Sequence, residues 1–535
     1  MTRRRFVRTF AVVVGAAAVG VGTGCATGSS GHGKGSRRRF DVRSFGARGD
    51  GKTNDTAAIQ RAIDATGRAG GGVVLLPAGV FLSGTLTLRS RITVELAHGA
   101  TLLASPDEHD FTARAQLPYQ TYSDFETSDF ANALLAGESL EHVAVVGEGT
   151  IDANRTKRFG PKPIALRRCK DVRVQGVTIR NAPNYCVSLG GCETVVVEGI
   201  TIRNAFADGI DPDCCRHVRI SHCDIESDDD AVVLKTSLIL GKRVPTEDVV
   251  VSDCTLRSYA NCFKIGTETS GDVRDVHVRN CTLLGTPDRD ARRGPRDENA
   301  AIAIEMVDGG VLDGVTVSDI VVRDVLTPVF VRLGNRGRGQ SPPTPGALRN
   351  VEIVNVVADG VSETSSITGI PGHAVAGVAI RGLRIGSRGG VTAPGGLDVP
   401  EQEGEYPQAG MFGVLPASGL YARHGRALSL QGLDARVAAA DARATVLVDD
   451  VADLELDGFT TDTPPSSSPV VRLHDVREGR VRQCRSAARV TPFASVTGAA
   501  TRGLAFERDH FGAGPDPVEL GPDVDRAAVT LTDNA

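Results

Sequence analysis

The decapeptide Val172-Arg173-Val174-Gln175-Gly176-Val177-Thr178-Ile179-Arg180-Asn181 returns 23 residues later as Val195-Val196-Val197-Glu198-Gly199-Ile200-Thr201-Ile202-Arg203-Asn204. It returns again, after the same step, as Val218-Arg219-Ile220-Ser221-His222-Cys223-Asp224-Ile225-Glu226-Ser227. Looser copies follow at Val249/Val251/Cys254/Leu256, Val276/Val278/Cys281/Leu283 and Val315/Val317/Ile320/Val322, then at Val351/Ile353/Val356, Val378/Ile380/Leu383/Ile385 and Leu454/Leu456/Phe459. Each copy reads as two short alternating strands around a bend. Such a unit cannot bury its apolar side alone, whereas stacked copies make one continuous core. Helical periodicity is almost absent, and the 62 glycines suit a chain that turns often. The pattern therefore predicts an all-β fold, a right-handed parallel β-helix with strands of successive coils about 4.8 Å apart. A β-sandwich would not keep a constant step with matched inward positions.

The first coil of such a stack would leave strand edges open. Asn54 or Asp55 can N-cap a helix through Ala65, whose stripe Ala58, Ile59, Ala62 and Ile63 would cover that end. Charged, Gly/Pro-containing stretches at 287–298 and 334–345 read as loops walling a groove.

Residues 1–25 read as an export signal. Thr2-Arg3-Arg4-Arg5-Phe6-Val7 resembles a twin-arginine motif, the apolar run 10–21 is too short to span a membrane, and Cys25 is a candidate for lipidation. Residues 26–38 are a Gly/Ser/Arg linker, and 39–535 are expected to form the β-helical domain with an irregular C-terminal end. The expected location is extracellular or periplasmic, with membrane contact only through a lipid anchor.

The formal net charge is −5, and −9 once residues 1–25 are removed with their four arginines. That excludes the basic surface of a nucleic-acid binder. Trp is absent and aromatics are only 4%, so stacking platforms are scarce. Cys223, Cys254 and Cys281 share one repeat position and read as a buried stack of small apolar side chains rather than as disulfide or metal ligands.

Two acidic segments interrupt the repeat: Ala207-Asp208-Gly209-Ile210-Asp211 and Ser227-Asp228-Asp229-Asp230-Ala231-Val232-Val233-Leu234-Lys235. Asp208 follows one repeat strand and Asp229 follows its copy in the next coil, so the two fall on one side of the stack. A bend is needed for Asp229 and Asp230 to face the same cleft. Crowded carboxylates cannot all ionise cheaply, so one should keep its proton near neutral pH. A proton-holding acid beside ionised partners suits hydrolysis of a glycosidic bond. Asp211, Asp213 and Asp224 read as decoration of solvent-facing turns. The alternatives are a calcium-dependent lyase, which lacks an evident basic residue among the carboxylates, and a non-catalytic carbohydrate-binding β-helix.

At these residues the chain resembles glycoside hydrolase family 28, the polygalacturonases. The opening from Phe40 to Thr56 is similar to that of pectin-active β-helices generally, while Ala207-Asp208-Gly209-Ile210-Asp211 resembles the family's Asn-Thr-Asp-Gly element and Asp229 to Lys235 its paired-aspartate strand. The resemblance implies Asp229 as general acid, Asp208 and Asp230 as base and water-holders, inversion at the anomeric carbon, a polysaccharide or oligosaccharide partner, and no cofactor. Two elements depart from the family pattern. Its Gly-His-Gly is here Ala260-Asn261-Cys262, and its Arg-Ile-Lys, which grips the uronate carboxylate, aligns with Ala303-Ile304-Glu305. Glu305 is then expected to repel a uronate, with Lys264, Arg332 and Arg336 as replacement cations and Asn261 as a further substrate contact. An exo-acting hydrolase, or one of a non-galacturonan glycan, is therefore the closest rival to a polygalacturonase. The aromatic-rich stretch from Glu405 to His424 reads as a packed loop or as part of the sugar groove.

Overall fold

The computed structural model describes residues 38–286, 299–462, 468–487, 492–510 and 517–534. The export motif, Cys25, the apolar run and the loop at 287–298 lie outside these residues.

Among the described residues every strand-to-strand ladder is parallel and links a strand to its counterpart in the next coil. The ladder valines stand in register: Val172 beside Val195, Val195 beside Val218, then Val249, Val276, Val315, Val351 and Val378. All are buried in one continuous apolar core, together with Ile179, Ile202, Ile225, Leu256 and Leu283. The right-handed parallel β-helix expected from the repeat is the observed fold.

The residue preceding each ladder valine is left-handed. Asp171, Thr194, His217, Asp248 and Asp275 have φ between 52° and 58°, and Gly314, Asn350 and Gly377 continue the series with φ of 85°, 58° and 62°. Asn, Asp and Gly tolerate this region best, and they dominate the position. The recurring kink starts each coil at the same angle.

Each central coil contains three strands, not the two that the alternation suggested. In one coil these are Glu193–Glu198, Thr201–Ala205 and Ile210–Asp213; in the next, Arg216–Ser221, Asp224–Ser227 and Val232–Thr236. The third strand shows no alternation of burial, since all its residues are buried. Its inner face meets the core, and its outer face is covered by charged pairs and by segments lying over it.

The helix α1 (Thr56–Arg68) runs three residues past the expected end and buries Ala58, Ile59, Ala62, Ile63 and Thr66. Asp55 is its N-cap residue but accepts no cap bond; its carboxylate takes the backbone N–H groups of Arg48 and Gly49 instead. Asn54 accepts from the Thr56 N–H at 3.0 Å.

All ten described cysteines are free and buried. Beside the expected stack, Cys169, Cys192 and Cys215 form a second one, with the Cys192 N–H donating to Cys215 Sγ at 3.3 Å.

Candidate active site

Asp208 lies in the turn entering the third strand of one coil, and Asp229 and Asp230 lie in the corresponding turn of the next. The turns are locked together by backbone bonds, from Gly209 N–H to Asp230 C=O at 2.9 Å and from Asp228 N–H to Ala205 C=O at 2.8 Å. A Cβ at Gly209 would stand 2.4 Å from the Ala231 carbonyl, so only glycine lets the coils approach here. Ser227 and Ser258 both donate to the Asp229 carbonyl, at 2.7 and 2.6 Å. That pins the bend which aims two consecutive aspartates into one space. Carboxylate oxygens of Asp208, Asp229 and Asp230 lie within 4.8 Å of one another.

Two buried lysines stand behind them. Lys235 Nζ donates to Asp211 Oδ2 at 2.8 Å, to Asp208 Oδ2 at 3.0 Å and to the Tyr185 hydroxyl at 3.1 Å. Burial would lower its pKa, but Asp208 and Asp211 outweigh that and hold it protonated. In the next coil Lys264 Nζ reaches Asp230 Oδ2 at 3.3 Å and Glu305 Oε2 at 3.8 Å. It too is held protonated against burial, chiefly by Asp230. Burial and the neighbouring aspartates raise the acids of Asp208 and Asp230 above the usual range, against the pull of the lysines. Asp230 also accepts from Asn261 Nδ2 at 2.8 Å.

Asp229 differs from both. Its side chain is 24% exposed, and Arg158 Nη1 donates to its Oδ2 at 2.5 Å. Arg158 is fixed from behind by Glu126 on the short helix α2 (Phe125–Ser128), which accepts from Nε and Nη2 at 2.9–3.2 Å.

Several expected contacts are placed differently from the sequence reading. Asp211 and Asp213 are buried, not solvent-facing: Asp211 serves Lys235, and Asp213 accepts from Ser237. Asp224 does lie at the surface, paired with Arg203. Glu305 is only 1% exposed, and burial pushes its acid up to about 8. At neutral pH it is largely uncharged, so the expected repulsion of a uronate loses its basis. Arg332 stands beside Glu305 in register but donates to the backbone carbonyls of Gly369, Glu401 and Gln402, at 2.6–3.1 Å. Arg336 is engaged by Asp308 and by the Thr267 carbonyl. Both cations hold loops rather than face open solvent.

The outer face around the site is covered on either side. Towards the N-terminus, Phe130 packs on Ala133, Ala136 and Ala165 with Ile239. Towards the C-terminus, Val399, Phe412 and Leu415 pack on Ala300, Ala303, Phe330, Tyr421 and Leu447. The aromatic-rich stretch is thus divided. Phe412 and Tyr421 are packed, whereas Tyr406 is 48% exposed with its ring 5.6 Å from Lys264 Nζ and its hydroxyl 3.2 Å from Thr267 Oγ1. His424 is held between Asp450 and Glu401.

Sequence reasoning missed Tyr185, Lys235, Glu126 and Arg158. Basic residues do stand among the carboxylates, contrary to the sequence reading: Lys235 pairs with Asp208, Lys264 with Asp230 and Arg158 with Asp229. Lys235 closes the quoted aspartate segment, and a lysine ending an apolar run was a usable signal. Glu126 and Arg158 lie outside the repeat and carried none.

This combination, a parallel β-helix with three converging aspartates at one turn of adjacent coils, defines a carbohydrate-active β-helix. Residues 73–371 match the model of glycosyl hydrolases family 28, and the chain belongs to that family. It is a glycoside hydrolase of polygalacturonase type. It is 28% identical over 372 residues to a probable polygalacturonase of Vitis vinifera, covering 64% of this chain and 73% of that protein. It is 26% identical over 305 residues to an endo-polygalacturonase of Pectobacterium carotovorum subsp. carotovorum, covering 52% of this chain and 71% of that one. An exopolygalacturonase from Thermotoga maritima shares the fold, with a TM-score of 0.57 and 23% identity over 74% of this chain and 92% of its own.

Proposed function

We propose that the chain is an exported hydrolase of pectin-type polysaccharide that works by inversion at the anomeric carbon. The observation that carries this is the convergence of three aspartates within 4.8 Å at one turn of adjacent coils. Asp229, the most exposed of the three, protonates the leaving oxygen. Asp208 and Asp230 orient the attacking water, and in the ionised form that Lys235 and Lys264 favour against burial they take its proton. Asn261 and Lys264 border Asp230 and contact the sugar, with Glu305 acting through Lys264. Arg332 and Arg336 support the site by holding the 401–402 segment and the loop after residue 333.

The twin-arginine-like motif supports export, with residues 1–25 as signal, Cys25 as the candidate for lipid attachment, 26–38 as linker and 39–535 as the catalytic domain. One observation favours a second stereochemical reading. Inverting pairs usually stand roughly 6.5–9.5 Å apart, and closer pairs are typical of retention. Against retention, Asp208 and Asp230 are buried and tied to lysines, which suits them to holding water better than to attacking carbon.

The test is release of reducing ends from polygalacturonate by wild type and Asp229→Asn, with the anomer of the first product read by NMR. Asp229→Asn should lose about 10²–10⁴-fold in rate while still binding substrate. Near-normal turnover would remove Asp229 as the acid, and a first product of retained configuration would remove the inverting mechanism.

A further inference from the structure

The cations around the aspartates are unequal in one respect. The side chains of Lys235 and Lys264 are 5% exposed and that of Arg336 is 8%, and each is engaged by buried carboxylates. The Arg158 side chain is 29% exposed and touches Asp229 directly. Glu126 takes its Nε and Nη2 in a two-pronged grip, so the guanidinium plane is fixed and Nη1 is presented to the aspartates. A guanidinium so held matches the two oxygens of a carboxylate.

Its present partner is the difficulty that makes it informative. A carboxyl that must give a proton to the leaving oxygen is here the counter-ion of an arginine at 2.5 Å, an arrangement that stabilises a carboxylate over its acid. Resting enzyme and working enzyme therefore need different partners for Asp229. Resting on the function proposed above, we infer that Arg158 recognises the carboxylate of a uronate unit, and that the sugar takes the Nη1 donor from Asp229. The exchange is balanced. The ion pair Arg158–Asp229, the sugar carboxylate and one proton from solvent become the ion pair Arg158–sugar and a protonated Asp229. Uronate binding thereby charges the acid with the proton it delivers.

The groups facing Asp229 favour uptake of that proton once the arginine is engaged elsewhere. Asp208 from the preceding coil and Asp230 beside it stand within 4.8 Å of it, and in their ionised forms, paired with Lys235 and Lys264, they oppose ionisation of Asp229. Glu126 stays with Arg158, and Lys264, which faces Asp229 from the strand Asn261–Thr269, is engaged by Asp230 and Glu305. Of Lys235, Lys264, Arg336 and Arg158, the last is thus the one whose departure changes the charge in direct contact with the acid. The basic element absent at Ala303-Ile304-Glu305 is replaced from the opposite side of the site, by a residue outside the repeat.

The experiment compares binding of digalacturonate and of the neutral galactose disaccharide by calorimetry in wild type and Arg158→Gln, alongside the pH dependence of cleavage. The double variant Glu126→Gln/Arg158→Gln is measured in parallel, because Glu126 is buried and would lose its counter-ion. Wild type should prefer the uronate, and the ratio of the two affinities should fall at least tenfold in both variants. In wild type the alkaline limb of kcat/KM, which reports free enzyme, should lie below that of kcat, which reports the complex; the variants should close that gap. An unchanged affinity ratio, or a wild type that binds the neutral disaccharide equally well, overturns the inference. A wild type that prefers the uronate but does not cleave its polymers leaves Arg158 as the recognition residue and overturns the hydrolytic function instead.

Discussion

Lys235 and Lys264 are two versions of one device. Each is a buried lysine on the third strand of its coil, and each bridges two acids, one of them a member of the aspartate trio. Lys235 is held by two carboxylates at 2.8 and 3.0 Å and by a phenol at 3.1 Å. Lys264 has its carboxylates at 3.3 and 3.8 Å, and Glu305 Oε2 has no hydrogen-bond partner although it is buried. The tighter cluster is saturated and serves to fix Asp208. The looser one retains bonding capacity beside Asp230 and beneath the exposed ring of Tyr406, where a sugar hydroxyl can be received. The same residue type thus acts as a clamp in one coil and as a contact in the next.

Three substitutions would break or sharpen that contrast. Lys235→Met leaves Asp208 and Asp211 buried without their cation, a change that costs about 3–5 kcal/mol. Chemical denaturation should register it as a loss of stability with activity falling in parallel. Lys264→Met should cost less, about 1–3 kcal/mol, because Asp230 keeps its two bonds from Asn261 and Glu305 is already largely neutral. Its larger effect should be on KM. Equal losses for the two variants would show that the difference in distance has no energetic meaning.

Near pH 4.5 the smallest effect belongs to Glu305→Gln, and it grows as the pH rises. The folded-state acid sits at about 8 against 4.5 in an unfolded chain, so folding takes up a proton between those values. Its contribution is complete below pH 4.5 and is lost as the pH rises through 8, at about 1.4 kcal/mol per pH unit. Wild type and Glu305→Gln should therefore unfold alike near pH 4.5 and diverge towards pH 8, with the variant the more stable. Parallel curves across that range would mean that Glu305 is ionised in the folded protein.

The fold was legible because the first two strands of each coil have one face in the core and one in water, which writes an alternation into the sequence. Val172, Val195 and Val218 were placed in register from spacing alone. The third strand carries no such imprint. Ile210–Asp213 and Val232–Thr236 are buried on both faces, the outer one by ion pairs whose members lie one or more coils apart. Asp208, Asp229 and Asp230 were nonetheless found, since acids clustered at one repeat position are conspicuous. Their partners were harder. Arg158 is 71 residues from Asp229 and belongs to an excursion that obeys no period. Glu305 was read by charge, but its burial decides its behaviour, and burial comes from Lys264 and the surrounding coils.

Through its ladders each coil is joined only to the coils before and after it, and the left-handed residue that precedes each ladder valine repeats the same junction along the stack. Stability in such a stack is a sum of nearest-neighbour terms, and opening spreads from the ends inward. The free energy needed to expose the aspartates then grows with the number of coils between them and the end where opening begins. Amide protons of the strands Ile210–Asp213 and Val232–Thr236 are shielded less by anything local than by their depth in the queue.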